Sequence, residues 1–177
     1  YQILKKNIGP VDEQQSADQF KILMDEMLRY GYEQYEISNF CKDNLYSKHN
    51  SSYWKKDHYL GLGPSAHSYF GNSRLWNVSN NVKYIKALSA SRLPLSKENL
   101  NTQDMYNEYV MTSLRTKWGC SLFDIEKDYS KSYLNDFKVK IQSYEMNGYI
   151  IENKGVYTLS EKGKLIADRI TSDLFVI

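Results

Sequence analysis

Phe20, Leu23, Met24, Met27 and Leu28 occupy the i, i+3, i+4, i+7 and i+8 positions that give an α-helix one buried stripe. Ser16 can cap this helix, with Gln19 completing a capping box, and Gly31 supplies a left-handed C-terminal cap. The segment "YEQYEISNF" follows at once, and its Tyr35, Ile37 and Phe40 predict a buried strand. A helix feeding a strand through a short glycine turn is the αβ half of an α/β repeat.

The next stretch, "HYLGLGPSAHSYFG", is apolar and rich in small residues. It predicts another buried strand whose glycines allow close approach of backbone or ligand. "NNVKYIKAL" predicts a helix, and Pro94 after a serine-rich run marks a boundary near residue 95.

Beyond that boundary the pattern changes. A helix is expected from about Thr102 to Lys117, closed by Gly119. A short helix over "SLFDIEKDY" and a longer one ending at Gly148 follow. Two strands then flank a turn at 153–155, and a last helix is capped by Ser160. This order is winged-helix-like.

The chain has 177 residues, 41% hydrophobic and 25% charged, which suits one or two globular domains. Its net charge of +2 is too small to argue for nucleic acid or a membrane surface. No apolar run approaches the roughly 20 residues of a membrane span, and no signal-peptide pattern opens the chain. Cys41 and Cys120 lie far apart and outside any Cys-x-x-Cys pattern, so a reducing, cytoplasmic setting is expected. The opening "YQILKKNIGP" reads like the middle of a longer protein.

All three histidines, His49, His58 and His67, lie in one segment at intervals of nine. Zinc sites usually take a closely spaced ligand pair, and no nearby Cys, Asp or Glu offers a fourth ligand. His67 reads as a core or barrel-lining residue with one ring nitrogen bonded, and His58 as the start of a strand. His49 differs because of its neighbours in "KHNSSYWKKD". Haem needs an axial ligand, often a neutral imidazole, together with flat aromatic surface and cations for its propionates. His49, Tyr53 and Trp54 with Lys48, Lys55 and Lys56 offer all three. The same composition also suits an amphipathic surface cover, and chemistry leaves both readings open.

The winged-helix-like tail raises nucleic acid as a partner. Its long helix carries Lys131, Lys138 and Lys140, but also Asp136 and Glu145. A mixed face of this kind favours a docking or lid domain over a DNA reader, so no nucleic-acid partner is expected.

Several blocks together resemble a known family. They are "YEISNF" at 35–40, "HNSSYW" at 49–54, "YLGLGPSAHSY" at 59–69 and "RLWNV" at 74–78. The later "LRTKWG" at 114–119 and "LSEKGKLIADRI" at 159–170 join them. This set resembles the C-terminal part of the HemN/HemW family of radical S-adenosylmethionine (radical SAM) proteins, long labelled oxygen-independent coproporphyrinogen III oxidases.

The resemblance implies an α/β fold. The C-terminal strands and helices of a partial (β/α) barrel over 1–95 would precede a mostly helical, winged-helix-like domain with a β-hairpin over 96–177. The His-Asn-x-x-Tyr-Trp pattern marks the HemW branch of haem chaperones, where it is the proposed haem-binding motif. It implies His49 as the iron ligand, Tyr53 and Trp54 as porphyrin contacts, and Asn50 as a group orienting the segment. Lys48, Lys55 and Lys56 are additional candidates for the propionates.

The implied partners are haem or a porphyrin and a haem-acceptor protein, with membrane contact transient at most. The family's Cys-x-x-x-Cys-x-x-Cys loop has no match here. A [4Fe–4S] cluster and S-adenosylmethionine would belong to the full-length parent, and this piece would hold no catalytic residues and be inactive alone. An alternative activity is porphyrinogen oxidation, with a deoxyadenosyl radical abstracting hydrogen from propionate side chains. A third reading makes "HNSSYW" purely structural, with Tyr53 and Trp54 packing the barrel's end and His49 bonding a backbone carbonyl.

Overall fold

A computed structural model describes residue 9 and residues 12–177. The opening of the expected 1–95 unit, residues 1–8, 10 and 11, lies outside the described residues.

The first helix, α1 (Glu13–Arg29), starts one turn earlier than expected. Asp12, not Ser16, is the cap: its carboxylate accepts the Gln15 N–H at 3.0 Å, and its charge also suits the helix N-terminus. Gly31 takes φ +78°, and the Tyr32 N–H returns to the Met27 carbonyl at 2.9 Å, closing the helix as expected. The apolar stripe is only partly covered. Phe20, Met24 and Met27 are half-buried, whereas Leu23 and Leu28 stay exposed among the described residues.

The expected single strand over 32–40 is instead a hairpin of β1 (Glu33–Glu36) and β2 (Asn39–Cys41). Glu36 makes the bend. Its buried carboxylate accepts the Ser38 backbone N–H at 3.1 Å and the Asn39 side-chain amide. Ile37 therefore sits in the turn.

After α2 (Lys48–Trp54), the expected strand over 58–71 splits again. Gly63 at φ +100° and Ser65 at φ +63° turn the chain back. Tyr59 then pairs by two backbone hydrogen bonds with Tyr69 in β3 (His67–Phe70). β3, β4 (Ser73–Asn77) and β5 (Leu95–Asn99) form a three-stranded antiparallel sheet, with α3 (Asn81–Ser89) linking the last two strands.

The remainder builds a winged-helix arrangement from α4 (Thr102–Leu114), β6 (Cys120–Ser121), α5 (Leu122–Asp128), α6 (Lys131–Met146), β7 (Ile150–Asn153) and β8 (Val156–Leu159). It is closed by α7 (Glu161–Lys164), which Ser160 caps, and α8 (Ala167–Asp173). α4 ends at Leu114, short of Lys117, because Thr116 leaves the helix to bridge Glu36 of β1. The main core lies here. Tyr106, Val110, Phe137, Ile141, Ile170 and Leu174 are essentially inaccessible, and Phe137 meets Tyr157 edge to face at 5.5 Å.

Candidate functional site

The residues "KHNSSYW" form α2, a helix of two turns. Ser47 caps it by accepting the Asn50 N–H at 3.3 Å, and Lys56 ends it at φ +58°. Side chains four apart share a helix face. His49 and Tyr53 therefore lie on one side, and Asn50 and Trp54 on the next.

The first pair faces solvent. The Tyr53 hydroxyl and His49 Nε2 are 3.2 Å apart, and the rings meet edge-on with centroids 4.9 Å apart. Both residues are exposed. Tyr53 in turn meets Tyr59 at 4.7 Å, and Tyr59 stacks on Tyr69 at 6.2 Å. His49 is thus the outer end of a row of three tyrosines. Burial pushes the Tyr59 and Tyr69 hydroxyls above the ordinary phenol range, so both remain neutral hydrogen-bonding groups.

The second pair faces the protein. Asn50 donates from Nδ2 to the hydroxyl of buried Tyr35 at 3.2 Å. Tyr35 itself packs among Tyr46 and Trp118. Trp54 is half-buried with the Arg115 guanidinium 5.9 Å from its ring, and it borders a cleft of about 470 Å³ between α2 and α4. Its Nε1 and the Ser51 hydroxyl are buried without a hydrogen-bond partner among the described residues.

The four motif residues therefore do not meet on one surface. Asn50 ties α2 to β1, as an orienting group would, while Trp54 lies on the inward side, away from His49 and Tyr53. The structural reading of the motif fits Trp54 but not His49, which is exposed and bonds a phenol rather than a backbone carbonyl.

The lysines also separate. Lys48 is exposed, and Lys55 lies over the Trp118 ring at 4.9 Å. Lys56 is not free for a propionate. Its ammonium donates to the Met105 carbonyl at 3.0 Å and the Tyr129 hydroxyl at 3.1 Å, between the rings of Tyr109 and Tyr129. Burial lowers its pKa, and the Glu108 and Asp128 carboxylates oppose the shift.

The other histidines depart from expectation. His58 lies in the loop before the Tyr59 bridge, where its Nε2 accepts the Gly71 N–H at 3.0 Å. His67 is exposed rather than core, and stacks against Trp76 across the β3–β4 pair. The misreading came from treating the whole segment as one buried strand. Strand alternation instead points His67 and Tyr69 to one face and Ser68 and Phe70 to the other.

Tyr59 and Tyr69, which continue the row from His49, were not singled out as site residues. Their signal was faint, because only the fold-back at 63–65 brings them together. Cys41 and Cys120 are both buried free thiols, pushed above the ordinary thiol range by burial. Among the described residues no group of three or more His, Cys, Asp or Glu side chains could hold a metal ion. His49 is an exposed imidazole at the end of a row of tyrosines.

No family model matches the chain. It is 30% identical over 159 residues to the heme chaperone HemW of Bacillus subtilis, an alignment covering 89% of this chain and 42% of that protein. The heme chaperone HemW of Mycobacterium tuberculosis is 25% identical over 176 residues, covering 97% of this chain and 42% of that one. Among solved structures, the coproporphyrinogen III oxidase HemN of Escherichia coli, described as a radical SAM enzyme, superposes with a TM-score of 0.71 at 16% identity. That match covers 94% of this chain and 42% of HemN.

The fold is therefore that of the C-terminal part of a radical SAM protein of the HemN type. The chain belongs to the HemN/HemW family. It spans about two fifths of the length of the curated relatives it matches.

Proposed function

We propose that this chain is the haem-binding part of a HemW-type haem chaperone, which takes up haem and delivers it to an acceptor protein. The observation that carries this is His49, an exposed imidazole on a capped helix whose one side-chain partner among the described residues is the Tyr53 phenol. His49 would hold the iron through Nε2 in place of its hydrogen bond with that phenol, and Tyr53 would offer its ring to the porphyrin. Asn50 holds the orientation of α2 through Tyr35. Trp54 supports the helix from its inner side, and any contact it makes with porphyrin comes through the cleft it borders.

The relatives' names support a chaperone, whereas the HemN likeness, at 16% identity, supports the fold. We divide the chain into a barrel portion and a winged-helix portion; because β5 (Leu95–Asn99) pairs with β4, the boundary belongs near residue 100 rather than at the expected 95. A [4Fe–4S] cluster and S-adenosylmethionine would be held in the whole protein by residues outside this sequence. No helix among the described residues is long and apolar enough to cross a membrane, and we place the protein in the cytoplasm.

The test is titration of the 177-residue chain with hemin, read in the Soret band. His49→Ala is expected to remove the component ligated by His49, weakening that binding at least about tenfold. Unchanged stoichiometry and spectrum would sink the assignment. In the full-length protein, robust coproporphyrinogen decarboxylation would replace the chaperone reading with the oxidase.

A further inference from the structure

The sheet β3–β4–β5 is covered at one end of its face and open at the other. In the antiparallel register His67 opposes Trp76 and Tyr69 opposes Arg74. Trp76 and Arg74 in turn oppose Ser96 and Glu98. Strand alternation puts all six side chains on one face. At the Tyr69 end, Arg74 reaches Glu108 of α4 at 2.8 Å, and Tyr69 is buried. At the His67 end a cleft of about 620 Å³ opens, bordered by Ser65, His67, Trp76, Val78, Pro94 and Leu95. No helix residue among the described residues borders the cleft. This volume lies within the roughly 300–1,000 Å³ of ordinary ligand pockets.

His67 contrasts with His58, which serves the same hairpin. His58 is committed to the Gly71 N–H. Neither ring nitrogen of His67 has a hydrogen-bond partner among the described residues. Its ring lies nearly parallel to Trp76, with centroids 6.2 Å apart and planes 29° apart. The indole thus lies beside one face of the imidazole, and among the described residues no hydrogen bond holds its nitrogens.

Asn77 fixes the turn that frames the cleft, donating to the carbonyls of Gly61 and Gly63 at 3.2 and 2.9 Å. Val78, Pro94 and Leu95 supply apolar wall. The row of Tyr53, Tyr59 and Tyr69 that starts at His49 ends at the covered end of this face, where Tyr69 meets His58 at 6.4 Å.

We infer that the open end of this sheet is a second haem-binding station, with His67 as iron ligand and Trp76 as the ring that positions it. This rests on the haem-handling reading above, but not on His49. A free imidazole beside an indole, over a cleft of ligand size whose wall is apolar at Val78, Pro94 and Leu95 and polar at Ser65, Asn77, Ser79 and Ser96, is a donor set open to a metalloporphyrin.

The experiment is hemin titration of the 177-residue chain and of its His49→Ala, His67→Ala, His67→Met and His58→Ala variants, with circular dichroism to verify folding. Wild type and His58→Ala are expected to take up about two equivalents, and His67→Ala about one. His67→Met is expected to restore the second equivalent with the altered spectrum of a thioether ligand, which a merely structural residue would not produce. An uptake of one equivalent unchanged by His67→Ala overturns the inference. So does a proportional loss in every histidine variant, His58→Ala included, which marks adventitious binding. If His67→Ala loses one equivalent while His49→Ala behaves as wild type, the second station stands and the His49 assignment falls.

Discussion

The two halves of this molecule are held together in different ways. The winged-helix half closes around its own core, with Tyr106, Val110, Phe137, Ile141, Ile170 and Leu174 all sealed from solvent. In the half before it, neither α1 nor α3 has a single buried residue, and Leu28, Val82 and Ile85 remain well exposed. That half is instead fastened to the core by polar tethers. Ile37 and Tyr35 exchange backbone hydrogen bonds with Arg115 and Lys117, Arg74 reaches Glu108, and the Lys56 ammonium enters between α4 and Tyr129. The candidate haem helix therefore owes its placement to directional contacts, while the domain beneath it owes its stability to apolar burial.

Substitutions in the core break this contrast most directly. Phe137→Ala is expected to cost about 3–5 kcal/mol in denaturant unfolding, through a buried cavity. Leu28→Ala should stay within about 0.5 kcal/mol, since its side chain is 70% exposed. Equal costs for the two would show that the first half has a core of its own.

Gly61→Ala comes next, at about 2 kcal/mol from overpacking. A Cβ at residue 61 would stand 2.1 Å from the His67 carbonyl oxygen, so the segment after Tyr59 could no longer lie against β3. Thermal unfolding measures the loss, and accelerated amide exchange at Tyr59 and Tyr69 locates it.

Lys56→Met keeps the stem but removes the ammonium, so the Tyr129 hydroxyl loses its donor and the Met105 carbonyl keeps only the Tyr129 hydroxyl. About 1–2 kcal/mol is expected, with faster amide exchange concentrated in α2. The pH dependence has a definite sign. Burial lowers the folded-state pKa of Lys56, so between that value and the ordinary lysine value of about 10.4 the unfolded chain binds more protons. Wild-type stability should therefore gain on Lys56→Met as pH rises through this alkaline window.

The smallest effect belongs to Glu33, whose pKa the hydrogen bond from Lys117 lowers. Its contribution is present above the ordinary glutamate range and lost as pH falls through the lowered folded value. The pair is solvent-exposed, so Glu33→Gln should remove only about 0.5 kcal/mol of acid-dependent stability. A larger loss would show that the tethers rival the core.

How much of this was legible in the residues differed between the halves for the same reason. In the winged-helix half, caps and turns act over three or four residues. Ser121 and Ser160 cap their helices, and Lys154 and Gly155, both at positive φ, turn the hairpin where the pattern places it. In the first half, apolar content was read as burial. That reading made a core residue of His67 and single strands of two hairpins: nothing local announces the Glu36 bend, and the turn signal of Gly63–Pro64 is overridden by the apolar content around it. Within the candidate site, the motif and its helical spacing mark out His49, Asn50, Tyr53 and Trp54. The spacing does not say which face of α2 meets solvent.

By itself, then, the sequence determined most of the helices, the winged-helix-like order of the tail and the family, because these rest on periodicity, capping and local motifs. Only the tertiary structure decided that His49 and Tyr53 face outward while Asn50 and Trp54 face inward. It also decided that Lys56 is a buried tether and that His67 stands over an open cleft. The physical reason is that exposure depends on what packs against an element, and here those partners lie in residues far away along the chain.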